Sequence, residues 1–446
     1  MRLRIGSLIT LVALSAASAQ IPGDGGPSDE QIREILADRV DAQKRSVGIV
    51  VGVVDESGRR IIAHGKTAAD GAPVDGDTVF EIGSVTKVFT ALLLADMVGR
   101  GEIAYEDEID SPPGITLDHL TRQTSGLPRL PSNLKPSDPR NPYADYRREQ
   151  MLAYLADYQL TRRPGEKYEY SNLGVGLLGD ILSTRARTDY ESLTRERILD
   201  PLGMDDTAID LSPELQARLA RGHNAKLKAV ANWDLPTFAG AGALRSTAND
   251  MLTFMAAAAG LQSSPLDDAF AALMEVRAPT GMKGVDIARG WHIALGEPEM
   301  IWHNGGTGGY RSFAGYAPDS KTAVVVLSNS IVSVDDLGRR LLDGKTPLMQ
   351  APEERQEISL QPVQLERFVG RYQLAPNFIL TISREEDRLF AQATGQGRAR
   401  IFPESETKFF YKATEAQLSF RVDSTGAVTS LTLHQGGRSV PANRID

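Results

Sequence analysis

The chain has no cysteine in its 446 residues. Disulfides, thiolate catalysis, Cys-ligated metal sites and a lipidated N-terminal Cys are therefore excluded together. Long apolar runs are missing too. The run near the N-terminus, Ile5 to Leu14, is too short to span a bilayer, and no later stretch approaches that length. There is no block of Lys or Arg, and the net charge of −9 argues against nucleic acid as a partner. The six His, at 64, 119, 223, 292, 303 and 434, form no close ligand pair, so neither a metal nor another cofactor is expected. No Gly-x-Ser-x-Gly occurs, which removes the nucleophile elbow of the α/β-hydrolases.

What is present begins with a leader. Arg2 and Arg4 precede the apolar run, and small residues follow it to Ala17-Ser18-Ala19. This three-part pattern predicts a secretory signal over 1–19, cleaved after Ala19, and a periplasmic or secreted protein with no stable membrane anchor. An exported chain without disulfides needs a large core, and this length supplies one.

Ser28-Asp29-Glu30-Gln31 reads as a capping box that opens a helix to about Lys44. Val47–Val54 and Arg60–His64 flank a turn at Ser57-Gly58 and predict a hairpin. A β-type run at 78–82 meets Gly83 and a long apolar helix. Helical patterns recur at 149–157, 173–185, 190–198 and 248–259, and strands return over 287–329. Residues 129–147 are rich in Pro, Asn, Ser and Asp, and read as a functional or disordered loop. After a polar, Pro-flanked linker at 351–362 the apolar period changes to two, as in "FILTIS" and "LSFRV". That predicts a small antiparallel barrel or sandwich. The expected fold class is α+β: edge strands of one antiparallel sheet, at 47–82 and 287–329, bracket a large helical insert, and the β module follows.

The candidate chemistry starts at Ser84 and Lys87. On a helix, positions i and i+3 share a face, so the two can touch. A serine hydroxyl needs a base to become a nucleophile, and a Lys serves if burial depresses its pKa. An N-cap serine with a snorkelling lysine explains the same spacing. Ser-x-x-Lys also occurs at Ser132 and Ser405, but only Ser84 lies between a strand, a glycine and a helix. Tyr170-Ser171-Asn172 follows a Pro-Gly turn. Tyr170 offers a second proton carrier, and Asn172 a donor and an acceptor for an amide. A packing Tyr and a helix-capping Asn are the plainer alternative. In "WHNGGTGG", glycines after His303 let a substrate backbone approach and leave N–H groups free to meet it; a bulge explains them equally.

Ser84-x-x-Lys87, Tyr170-x-Asn172 and His303-x-Gly305, in this order, resemble the penicillin-recognising serine hydrolases. The resemblance is to the branch of class C β-lactamases, DD-peptidases, D-aminopeptidases and β-lactamase-like esterases. "ITLDHLTRQTSGLP", "RILDPLGMDDT" and "GALRSTANDM" extend it over about residues 30–345. It implies a β-lactamase/transpeptidase-like fold over 20–350, and the β module over 363–446 resembles a lipocalin-like domain. It further implies that Ser84 is acylated and that Lys87 and Tyr170 share the proton work. Asn172, His303 and Gly305 then bind substrate, and the N–H groups of Ser84 and Gly306 form the oxyanion hole. His303 stands where many β-lactamases carry Lys, and Gln123 where many relatives carry His.

The function expected is exported hydrolysis of amide or peptide bonds in a small molecule or peptide (DD-peptidase, D-aminopeptidase or β-lactamase-like activity). The alternatives are a carboxylesterase on the same scaffold and a catalytically weak binding protein for cell-wall peptides. Ser84→Ala is expected to abolish covalent labelling by a fluorescent penicillin, with Ser132→Ala and Ser405→Ala labelled as wild type. Mass spectrometry that finds the adduct on Ser132 or Ser405 would overturn the assignment.

Overall fold

The structure is a computed structural model that describes residues 26–350, 355–375, 378–394, 397–412, 416–435 and 438–446. The expected leader and its cleavage point, and the first residues of the expected linker, lie outside these. The chain divides into two compact units, one ending at Met349 and one beginning at Gln350.

The first unit is built on one antiparallel sheet. The capping box at Ser28 forms, with Gln31 N–H donating to Ser28 Oγ and Ser28 N–H to Gln31 Oε1. It opens α1 (Asp29–Ala37), which continues only as a π-helical turn to Ala42. β1 (Gly48–Asp55) and β2 (Gly58–Gly65) form the expected hairpin, its turn held by Ser57 N–H on Asp55 Oδ1. The short pair β3 (Phe80–Glu81) and β4 (Arg245–Ser246) stands apart. The run expected as a strand over 78–82 contributes only β3. Then come β5 (Ala278–Pro279), β6 (Val285–Ile287), β7 (His292–Ala294), β8 (Met300–Gly306), β9 (Arg311–Ala317) and β10 (Thr322–Ser328). The sheet order is β2-β1-β10-β9-β8-β7-β6-β5. β1 thus pairs directly with β10 inside the sheet, not at its edges as expected: strands from the two ends of the unit adjoin, and the helical insert lies between them in sequence.

Both faces of this sheet are covered, which is why its central strands read as continuous apolar runs. Ile49, Val51 and Val53 of β1 face a core shared with α1 and the helix Asp335–Asp343. Val50 and Val54 face the opposite core, shared with the insert. In the insert, α2 (Thr86–Gly99) is buried on nearly every side, from Thr86 through Met97. α5 (Asn172–Ala186) packs against it, and α3 (Leu117–Thr121) and α4 (Arg148–Asp157) join the same core. Between α3 and α5 the chain is mostly turns, apart from α4.

The second unit is a closed eight-stranded antiparallel barrel between Gly370 and Arg444. Its interior is filled. The rings of Phe368, Phe409 and Phe420 lie 4.7–5.5 Å apart, and Leu380, Ile382, Leu418 and Leu431 complete the core. Eight strands enclose just enough room for side chains, and here aromatic residues take it.

The contact between the helix Asp335–Asp343 and the sheet depends on Gly338. A Cβ there would lie 2.2 Å from the ring of Phe313, which is fully buried. Gly338→Ala gains about 1 kcal/mol of helix propensity, but overpacking against an immobile ring costs roughly 1–3 kcal/mol. Denaturant unfolding is therefore expected to show net destabilisation; an Ala variant as stable as wild type would refute this packing account.

Candidate active site

Ser84 sits where three segments meet. Gly83–Val85 forms a 3₁₀ turn rather than the first turn of α2, which starts at Thr86. No side-chain cap is made at either start, so the capping alternative for Ser84 does not hold. Lys87 does not snorkel: it is 1% exposed. Its Nζ lies 3.1 Å from Ser84 Oγ and 2.6 Å from the Ala241 carbonyl oxygen. Burial first, and the Arg129 guanidinium second, hold the Lys87 ammonium well below its ordinary range.

Gly83 makes the approach of β8 possible. Its φ is +51°, and a Cβ there would stand 2.6 Å from Gly306 N. Gly305 does the same from the other side, since a Cβ there would fall 1.9 Å from the Ile82 carbonyl oxygen. Backbone on both sides leaves nothing flexible to give way. Ser312 Oγ donates to the same Ile82 carbonyl at 2.7 Å and ties the turn that carries Ser84 to β9. Past Trp302, β8 pairs with β9 alone among the described strands, so one edge of residues 303–306 stays open beside Ser84.

Tyr170 lies just before α5, in a segment without strand or helix. Its ring centroid is 4.9 Å from Lys87 Nζ and 5.0 Å from the Arg129 guanidinium, on the Ser84 side of the cleft. Burial pushes the phenol up to about 12, against the pull of Ser84 and Arg129. Asn172 does not cap α5. Ser171 does, accepting from Gly174 N–H at 2.8 Å, so Asn172 is left to the cleft, with its Oδ1 buried and unpartnered.

His303 is placed differently from the expectation. It is 2% exposed and is not among the residues that line the cleft. Its ring packs against those of Tyr170 and His292, at 6.3 and 5.2 Å, and its Nδ1–H donates to the Asn304 carbonyl at 2.6 Å. Burial, then His292 and Lys87, hold its pKa well below the ordinary value. His303 is thus a neutral ring behind Tyr170, not a cation facing a substrate. The reason is long-range: β7 brings His292 against it from the next strand.

The cleft, of about 550 Å³, contains Ser84, Tyr170, Asn172, Gly305 and Gly306. Several further residues in it were not picked out from sequence. Arg129, Arg311 and Arg339 give it positive charge, and Tyr143, Trp233 and Trp302 give it aromatic walls. Arg129 directly follows "TSGLP", and with Tyr143 it brings the Pro-rich loop into the cleft. That loop is anchored: the Trp233 indole donates to the Arg140 carbonyl at 3.1 Å, and Asn141 exchanges hydrogen bonds with Asp234. Among the described residues no three His, Asp or Glu converge as metal ligands would.

A serine, a buried lysine and a tyrosine beneath an open strand edge define a β-lactamase/transpeptidase-like serine hydrolase. The chain belongs to the Beta-lactamase family, whose model matches residues 32–345. A second model, a domain of unknown function (DUF3471), matches 354–442. The chain is 25% identical to penicillin-binding protein 4* of Bacillus subtilis (strain 168), over 83% of this chain and 89% of that one. It is 29% identical to the D-alanyl-D-alanine-carboxypeptidase/endopeptidase AmpH of Escherichia coli (strain K12), over 73% and 91%. Its fold is similar to that of a class C β-lactamase from Rhodobacter sphaeroides (TM-score 0.59, 22% identity, 67% of this chain and 93% of that one). It is also similar to the D-alanine carboxypeptidase AmpC from Burkholderia cenocepacia (TM-score 0.61, 22% identity, 71% and 100%).

Gly305→Ala tests the close approach. It is expected to slow acylation by a fluorescent penicillin by roughly 10²-fold or more, because the Gly306 N–H, where the resemblance implies an oxyanion donor, is carried away from Ser84. Acylation at the wild-type rate would show that β8 does not need this contact.

Proposed function

We propose that the chain is an exported serine hydrolase that cleaves amide bonds in D-amino-acid peptides through an acyl-enzyme on Ser84. The observation that carries this is the buried Lys87 Nζ, 3.1 Å from Ser84 Oγ and depressed in pKa. Export rests on the leader pattern in residues 1–19, and the hydrolase domain is taken as 20–350, with a linker at 351–362 and the β domain at 363–446. The names of the relatives point to D-alanyl peptides, and three cleft arginines suit a substrate with a carboxylate.

Lys87, uncharged, takes the Ser84 proton as Oγ bonds to the scissile carbonyl carbon. The resulting oxyanion accepts from the N–H groups of Ser84 and Gly306. Tyr170, a neutral phenol with its raised pKa, gives its proton to the leaving nitrogen as the C–N bond breaks, and the Lys87 ammonium returns one to it. Water then attacks the ester with Lys87 or Tyr170 as base, and Ser84 regains its proton. Asn172 Oδ1, free of protein partners, accepts from a substrate N–H. The open edge of β8 holds the substrate backbone, with Gly305 keeping it close.

The test is release of D-alanine from a peptide ending in D-Ala-D-Ala, run beside a p-nitrophenyl ester. Release of D-alanine with a trapped Ser84 acyl adduct is expected; turnover of the ester alone would favour the esterase. Tyr170→Phe should lower the rate of amide cleavage by about 10²–10⁴-fold. The sign of the pH dependence follows from Lys87. The base works when neutral, so kcat/KM rises with pH through its depressed pKa. A rate that falls over that limb would exclude Lys87 as base.

A further inference from the structure

Tyr170 must present its hydroxyl to Ser84, yet no helix or strand holds it. The neighbouring backbone is held by one residue on the TSGLP segment. The Gln123 carbonyl accepts from Glu169 N–H at 2.7 Å, and Gln123 Oε1 accepts from Ser171 N–H at 2.6 Å. A single side chain and its own peptide thus grip the amides on either side of Tyr170. Gln123 is 4% exposed and has φ of +59°, in the left-handed region that a residue with a Cβ adopts only when its surroundings impose it. The turn just past α3 sets this conformation, with Thr124 N–H on the His119 carbonyl at 2.9 Å.

The next residues are held by other groups. Asn172 N–H donates to the Arg129 carbonyl at 3.0 Å, and Ser171 Oγ to the Pro128 carbonyl at 2.7 Å. Those bonds fix Asn172 and the start of α5. They leave to Gln123 the Tyr170–Ser171 peptide, held through its N–H, and the Tyr168–Glu169 peptide one residue upstream.

We infer that Gln123 is a positioning residue for Tyr170: its two acceptors aim the phenol at Ser84, and their loss costs rate rather than substrate binding. This rests on the proton role proposed for Tyr170. A side chain of this length turns a small rotation of its peptide into a displacement of the hydroxyl, and a displacement of about 1 Å costs on the order of 10²-fold in rate. The competing account makes Gln123 a structural tie between α3 and the loop before α5, with no bearing on the chemistry.

The test is a double-mutant cycle in the full chain. Acylation by a fluorescent penicillin and hydrolysis of a D-Ala-D-Ala peptide are measured, with unfolding midpoints alongside. Gln123→Leu removes the acceptor at similar volume and is expected to lower the acylation rate constant by about 10–100-fold, with KM within about 2-fold. Gln123→Glu keeps an oxygen in the same place and should recover most of the rate; it also serves as the folded variant if Leu is not tolerated. In a Tyr170→Phe background, Gln123→Leu should add little further loss.

Additive losses in the cycle would overturn the inference while leaving the role of Tyr170 standing. So would a Gln123→Leu enzyme with a lower unfolding midpoint and wild-type kinetics, or a Gln123→Glu enzyme as slow as Gln123→Leu. A Tyr170→Phe enzyme of wild-type rate is a separate failure: it would remove the proton role itself and this inference with it.

Discussion

The site depends on one part-buried hydrogen bond, from Lys87 to Ser84. An ammonium loses its hydration when it is buried, and Lys87 is 1% exposed on a helix buried nearly throughout. The group adapts by giving up charge more readily, and the Ala241 carbonyl and Ser84 Oγ satisfy its remaining donors. Enclosure that looks inhospitable to a lysine is what would fit it for the base role proposed for it.

The Gly306 N–H proposed as an oxyanion donor lies near Ser84 because the sheet and the turn before α2 approach backbone to backbone. Gly83 and Gly305 are the two places where a side chain would hold them apart. The Ile82 carbonyl stands at this junction, accepting from Ser312 Oγ while Gly305 passes over it. β9, β8 and the Ser84 turn are thus tied backbone to backbone, an arrangement that would let fixed N–H groups stabilise charge without reorganising.

Local features were legible in the sequence. The capping box at Ser28, the β1–β2 hairpin, the helices at 148–157, 172–186 and 248–258, and the Ser84–Lys87 spacing each depend on residues a few positions apart. What escaped depends on residues far apart in the chain. His303 reads as a cleft residue on β8; only the cross-strand arrival of His292 shows it to be enclosed and neutral. Gln123 reads as a departure from the pattern of relatives; only the fold shows it beside Tyr170, across more than forty residues of chain. The cleft arginines come from the Pro-rich loop, β9 and the helix after β10, and no local pattern unites them.

Those arginines also set the sign of the site against the sign of the molecule. The chain carries −9 overall, but charges beyond about 8 Å are largely screened at physiological ionic strength. The field at Ser84 is therefore that of its immediate neighbours. Arg129 acts there twice. Its guanidinium lies 5.0 Å from the Tyr170 ring centroid, and it depresses Lys87 in the free enzyme. An anionic group bound near Arg129 would offset part of that field, so the base proposed here would hold a proton more tightly with such a substrate than without it, and one exposed charge would couple recognition of the substrate to proton transfer.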